Sequence, residues 1–369
     1  MNKFVRTLIA ASALATLAGA SFAASVQVYG RVDNGLYYVH KKVGTKKATN
    51  EFTMESGMGG ASRWGIKADS DEIAPGWKVS VKLEGKICTD TGEKGSEELF
   101  DRESSIIVSS PYGNLQFGRI GYLHGGVTGG LIAGQTNPFG VIYKQCGAQN
   151  VFMNAASRTP NTIRYETPSF SGLTFAAQWC NSADDDEEVN ALPNRKRYFG
   201  IGANYKNGPF RIAAVFGSTY YSRDTKTAGD AVESDERSYS LAANYDFGVA
   251  KVYGGYQYGE NLGKDTKILS KSVLGAKTHN MIAGVSVPVG NGTIMAAAAL
   301  THTKDGKGTK TAIVKQNGYQ GALGYKYSFS KKTAFYSAIS YRHQKTTTAK
   351  GVSEKTKTFT VMAGLGVNF

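Results

Sequence analysis

The sequence predicts an all-β chain, a 16-stranded antiparallel transmembrane β-barrel with long external loops and short periplasmic turns. Three observations carry the prediction. Apolar and polar residues alternate with period two along most of residues 24–369. No run of about 18 apolar residues follows the leader, so no helix crosses a membrane. Short and long polar connections alternate strictly between the period-two segments.

The leader comes first. "MNKFVRTLIAASALATLAGASFA" sets Lys3 and Arg6 ahead of an apolar run and ends in the small-x-small triplet Ser21-Phe22-Ala23. Residues 1–23 read as a secretory signal peptide cleaved after Ala23, leaving 24–369 as one barrel domain. A membrane anchor is the weaker reading, because the apolar core is short and rich in small residues. Losing Lys3 and Arg6 lowers the net charge from +14 to +12. An exported chain with no nucleic-acid motif is not expected to meet nucleic acid. The partners such charge suggests are the anionic lipids of a bacterial outer membrane, lipopolysaccharide included, and small anionic solutes. Cys88, Cys146 and Cys180 are an odd number for an oxidising compartment; one disulfide with one free thiol, or no pair at all, both remain open. Their spacing matches no metal motif, and no cofactor is expected.

The strands follow in order. "VQVYGRVDNGLYYV" sets Val26, Val28, Gly30 and Val32 against Gln27, Tyr29, Arg31 and Asp33. "SRWGIKAD" sets Trp64 and Ile66 against Arg63, Lys67 and Asp69, and "WKVSVKLEG" sets Val79, Val81 and Leu83 against Lys78, Lys82 and Glu84. "LTFAAQW" repeats the pattern with Leu173, Phe175 and Trp179 on one face. A face carrying Arg, Lys, Asp and Glu on neighbouring strands cannot be a dry core. It is the solvent face of a sandwich or the wet interior of a barrel whose outside meets lipid.

The connections decide. Short ones fall at 71–76, 110–114, 167–172, 206–209, 246–249, 288–292 and 328–332; long ones at 40–61, 88–99, 121–160, 181–196, 222–236, 260–276, 303–317 and 345–357. Seven short and eight long connections join sixteen strands and put both termini on the short-turn side. A sandwich has no reason to alternate them, whereas an outer-membrane barrel does. Sixteen strands enclose an aqueous channel. The ending "FTVMAGLGVNF" alternates too, so the last strand closes on the first and Phe369 lies on the outward parity, in the aromatic girdle of the periplasmic interface.

These residues resemble the Gram-negative general porins, and among them the β-proteobacterial branch. The resemblance is carried in order by "SVQVYGRVDNGL", "SRWGIKADSDEIAPGWKVSVKLEG", "SPYGNLQFGR", "RTPNTIRYETPSFSGLTFAAQ", "YDFGVAKVYGGYQ", "GVSVPVGNGT" and the terminal Phe. It implies a homotrimer, each subunit a separate water-filled channel for small hydrophilic solutes and ions. It also implies that the third loop, 121–160, folds into the lumen and narrows it. Where the family commonly has an acid in a Pro-Phe-Gly turn of this loop, this chain has Asn137-Pro138-Phe139-Gly140, which argues against a cation-attracting opening.

The neighbouring residues point the same way. Between Glu103 and Glu166 lie 62 positions with no acid, where 29 acids in 369 residues would put about five. Arg119, Lys144, Arg158 and Arg164 fall in that stretch. Arg63, Arg119 and Arg164 align with the family's lumen arginines on the second, fifth and sixth strands, with Arg102 and Arg31 as weaker additions. Alternation places Arg63 and Arg164 inward, but Arg119 shares parity with Leu115 and Phe117, so its inward placement requires a strand end or bulge near Gly118. A ring of arginines across a narrow opening favours anions, since guanidinium stays charged at any physiological pH. Asp33, Glu84 and Glu166 share the inward parity and oppose that ring. The expectation is an anion-selective diffusion channel.

Rival functions are weaker. An enzymatic barrel needs a base beside a nucleophile or acid pair, and His40, His124, His279, His302 and His343 show no partner at recognisable spacing. A structural anchor or adhesin would need a plugged lumen. "DDDEE" at 184–188 reads as a solvated loop tip, because no ligand-spaced Gly turn accompanies it as a calcium loop would require.

Overall fold

The computed structural model describes residues 25–70, 72–125, 127, 129–141, 143, 146–153, 157–181, 196–220, 235–263, 265–308 and 312–369. The expected leader, the acidic run 184–188 and Lys144 lie outside the described residues. The strands are β1 (Ser25–Val43), β2 (Thr49–Ser56), β3 (Arg63–Asp69), β4 (Lys78–Lys86), β5 (Glu103–Ser110), β6 (Gly113–Gly121), β7 (Arg158–Glu166), β8 (Leu173–Cys180) and β9 (Arg197–Asn207). There follow β10 (Phe210–Tyr220), β11 (Glu236–Asp246), β12 (Lys251–Glu260), the two-residue β13 (Lys267–Ile268) and β14 (Lys271–Ser272), then β15 (Lys277–Val289), β16 (Gly292–Lys304), β17 (Ile313–Ser328), β18 (Thr333–Thr348) and β19 (Ser353–Asn368).

Seventeen of these form one antiparallel sheet closed on itself, while β13 and β14 make a separate hairpin. Both β2 and β3 pair with β1, so together they are one interrupted stave and the barrel has the sixteen staves expected. Closure runs from Arg31↔Asn368 to Val43↔Thr356 between β1 and β19. Phe369 completes it: its N–H donates to the Gly30 carbonyl at 3.1 Å, and its ring fills the space over Gly30. The seam therefore leaves no free strand edge between β1 and β19, which a lipid-facing sheet requires.

Alternation sets the two faces. Val28, Leu36, Ile106, Phe175, Leu241, Leu300 and Leu365 are exposed on the outside, while Asp33, Glu84, Gln178, Gln257, Asn280 and Gln320 are buried inside. The wall is uneven in height. Strands β4 to β8 have 8 or 9 residues, and β17 to β19 have 16.

Some expected loops are strand instead. The stretch 40–61 holds a turn at 44–48, all of β2, and an irregular break at 57–62. Likewise the long connection expected over 345–357 shrinks to 349–352, because Lys345↔Lys355, Thr346↔Glu354 and Thr347↔Ser353 continue the ladder outward. Polar β-branched residues extend a hairpin beyond the membrane without any apolar face, so hydropathy does not register them as strand.

Candidate pore constriction

The third loop lies inside the barrel. Leu123, Ile132, Phe139, Val151, Phe152 and Met153 form one buried cluster with inward alanines of the far wall, among them Ala213, Ala242, Ala297 and Ala322. Two turns of 3-10 helix, Ala133–Gln135 and Ala148–Val151, give the loop its shape. Its tip needs room that only missing side chains provide: a Cβ on Gly284 would stand 2.5 Å from Pro138 Cδ, and one on Gly324 2.6 Å from Phe139 Cε1. Polar wall residues satisfy the loop backbone. Gln257 Oε1 accepts from the Met153 N–H at 2.6 Å, and Gln320 Nε2 donates to the Cys146 carbonyl at 3.2 Å. Burial without a charged partner pushes the Cys146 thiol up to about 11, and all three cysteines are free thiols.

Asn137 is buried at the turn. Its Oδ1 accepts from the Phe139 N–H at 2.9 Å, while its Nδ2 donates to the Gly140 carbonyl at 3.2 Å and to Gln149 Oε1 at 2.6 Å. The first bond fixes which end of the amide is oxygen. A carboxylate here would turn its second oxygen toward the Gly140 carbonyl.

The break in the second stave receives the other side of the loop. The Tyr143 N–H donates to the Met58 carbonyl at 2.8 Å, and the Tyr143 ring packs edge-on against Phe139 and Tyr336. Asp33, fully buried, organises this break. It accepts from the Gly59 N–H at 3.1 Å and the Tyr336 hydroxyl at 2.6 Å, and pairs with Arg31 Nη2 at 2.7 Å.

Beside the loop is a lumen cavity of about 750 Å³. Arg31, Arg63, Lys82, Arg102, Arg158 and Lys326 line it, with Glu84 as the single carboxylate among the described residues. Glu84 is held by Arg102 Nε at 2.6 Å, Arg63 Nε at 3.3 Å and the Tyr29 hydroxyl at 3.0 Å. Behind the lining, Lys82 pairs with the buried Glu103, whose other oxygen accepts from Ser105 and Gln116. Counting Asp33 and Glu103 as well, the cavity and its backing keep a net charge of +3. The cations stand on β1, β3, β4, β7 and β17 and just before β5, so most of the field comes from one side of the lumen.

The expected residues are thus dispersed. Arg31, Arg63, Arg102, Glu84, Pro138, Phe139 and Gly140 meet at the cavity. Arg164 stands behind the loop, 3 % exposed, donating to the Gly129 carbonyl and lying 3.5 Å from Glu166. Arg119 also lies off the cavity lining. The β6–β7 register shifts between Gly118 and Ile120, with Gly118 at φ +127°, and Arg119 Nε donates to the Asp101 carbonyl at 2.7 Å. Lys82, Arg158 and Lys326 complete the basic lining; alternation marks Lys82 and Lys326 as inward, but their depth has no signature in sequence.

Comparison with known proteins agrees with this architecture. The family model described as Gram-negative porin matches residues 10–347. An outer membrane porin protein of Bordetella pertussis is 28% identical over 91% of this chain and 94% of its own length. Outer membrane porin protein 32 of Delftia acidovorans is 29% identical, covering 95% and 93%. Among solved structures, the anion-selective porin from Comamonas acidovorans superposes with a TM-score of 0.66 at 22% identity, covering 94% of this chain and all of that one. With the closed barrel, the in-folded loop and a match over most of its length, the chain belongs to the Gram-negative porin family of the outer membrane.

Proposed function

We propose that this porin is an anion-selective diffusion channel, and the observation that carries the reading is the lining, among the described residues, of six cations against one carboxylate beside the third loop. Fixed positive charge in a narrow, low-dielectric-walled opening concentrates anions and rejects cations. The Comamonas structure bears the description anion-selective, which agrees with this assignment. Arg31, Arg63 and Arg102, joined by Lys82, Arg158 and Lys326, set the field; Glu84 and Asp33 hold the guanidinium groups in place rather than reverse it. Arg164 and Arg119 serve by position, as anchors of the loop and of the fifth stave.

The test is the zero-current potential of the purified protein in a planar bilayer under a KCl gradient. A value near the chloride Nernst potential is expected. A value near the potassium potential overturns the anion assignment, and absence of current overturns the channel and favours a non-conducting anchor.

We assign a homotrimer on wall height. At about 3.3 Å per residue and a tilt of about 40°, strands of eight or nine residues rise only about 20–23 Å, below the apolar band of about 25 Å. The low wall formed by β4 to β8 is where neighbouring subunits would stand in place of lipid. Outer-membrane lipid, lipopolysaccharide included, covers the tall wall.

A further inference from the structure

The connection over 260–276 also turns into the barrel. It leaves at the end of β12 and returns at the start of β15, two adjacent staves. Its β13–β14 hairpin nevertheless reaches sideways to β17, where Gln316 Nε2 donates to the Ile268 carbonyl at 2.7 Å. Beside that bond Leu269 fills the space over Gly318, where a Cβ would stand 2.4 Å from Leu269 Cδ1. The reach from β15 to β17 crosses two strand spacings, about 10 Å. A hairpin this short has little stability of its own in water. Its seat supplies it: Leu262, Ile268, Leu269 and Val273, each 1 % exposed, join the buried cluster that holds Val151, Phe152 and Met153 of the third loop.

Hydrogen bonds fix its depth. The Leu269 N–H donates at 2.9 Å to the carbonyl of Asn150, in the second 3-10 turn of the third loop. At the base of the segment, Glu236 is buried at the outer end of β11 and accepts from the Gly263 N–H at 2.7 Å and from the Thr266 hydroxyl. On β17, Gln320 bonds the third loop and Gln316 bonds the hairpin. Those four residues place the hairpin about 10 Å nearer the external mouth, at about 3.3 Å per residue and a tilt of about 40°. The hairpin is thus a second layer on the outer side of the third loop. Lys267, Ser270 and Lys271 are its exposed residues, opposite the apolar seat.

We infer that residues 260–276 are a second in-folded loop that sets the size limit of the channel together with the third. The two cover the same far wall at successive depths, so a solute is held toward the near wall over a stretch of about 10 Å rather than at one ring. A longer narrow stretch discriminates more steeply by solute size. The hairpin also stands in the way of any outward swing of the Ala148–Val151 turn, since Leu269 is bonded to Asn150 from the external side. Glu236 is the positioning residue at its base. The inference rests on the barrel being a channel, not on its anion preference.

The experiment measures swelling of proteoliposomes in arabinose, glucose and sucrose, neutral solutes whose entry reads size without charge. The full mature protein is compared with Leu269→Ser, which unseats the tip, and Glu236→Gln, which weakens the base. Leu269→Met keeps the seat filled, and Lys271→Gln alters only exposed charge. Leu269→Ser and Glu236→Gln are expected to raise the sucrose-to-arabinose rate ratio by about threefold or more, and Leu269→Met and Lys271→Gln to keep the wild-type ratio. A rate ratio does not move when fewer barrels fold, so it separates the size limit from a general loss of structure. An unchanged ratio in Leu269→Ser overturns the inference; where that variant fails to assemble, an unchanged ratio in Glu236→Gln overturns it. An equal rise in Lys271→Gln assigns the limit to charge and overturns it as well. Wild-type liposomes that do not swell in arabinose overturn the channel itself, whereas a zero-current potential near the potassium value counts against the anion assignment alone.

Discussion

Glu84 offers the sharpest test of a charge-controlled constriction, because among the described residues it is the one carboxylate lining the cavity and two arginines hold it. A sphere of the cavity's volume has a radius of about 6 Å, so an ion at its centre lies about that far from each lining charge. One unit charge at that distance in water is worth about 0.7 kcal/mol, and about half of that at 0.15 M salt. Removing the charge moves anion and cation energies in opposite directions, so their difference changes by roughly 0.7–1.4 kcal/mol, about three- to tenfold in permeability ratio. Glu84→Gln is expected to raise the chloride-over-potassium ratio by that factor, and Arg102→Gln to lower it. The double variant restores the net charge and is expected to return near wild type. Zero-current potentials at two ionic strengths provide the assay, with the larger shifts at low salt. Single variants shifting in the same direction, or a double variant far from wild type, would refute charge control and leave the geometry of the Glu84 cluster as the determinant.

Three other outcomes separate anchoring from field. Arg164→Gln is expected to leave the zero-current potential within about twofold of wild type while raising single-channel noise, because the loop loses a charge-assisted hydrogen bond of about 1.5–3 kcal/mol at Gly129. Gly118→Ala puts a Cβ at a positive φ, 2.0 Å from the Ser104 carbonyl oxygen, and is expected to lower the thermal unfolding midpoint by destabilising the bulge at least 1 kcal/mol or so. His124 is buried at the start of the third loop beside Tyr198, and burial lowers its pKa from 6.5 to about 4. The unfolded chain therefore binds the extra proton between those values, so loop seating is at full strength above pH 6.5 and weakens by up to about 3 kcal/mol as pH falls to 4. Open-channel noise rising over that window in wild type, and absent in His124→Gln, is the expected result.

Most of the barrel is legible because lipid imposes a simple code: outward residues are apolar, inward residues need not be, and turns interrupt both. That code fails where the membrane ends. β2 carries only Phe52 and Met54 as outward apolar residues, and pairing with β1 rather than hydropathy makes it a strand. The constriction is legible to a lesser degree. Alternation assigns Arg63 and Arg164 to the same inward face, yet one lines the cavity and the other is sealed behind the loop. Face is a property of a strand's own period, whereas depth and cover depend on where the third loop lies.

The loop's path does have a trace in sequence, written in absent side chains. Gly284 and Gly324 face Pro138 and Phe139, and the inward Ala297 and Ala299 of "MAAAALTH" leave the far wall flat beneath the loop. A larger residue at these positions would push the Asn137–Gly140 tip toward the arginines and close the opening they line. Small inward residues on the far wall and basic ones on the near wall are therefore two halves of one arrangement. The first sets how far the loop withdraws, and the second sets what passes through the gap.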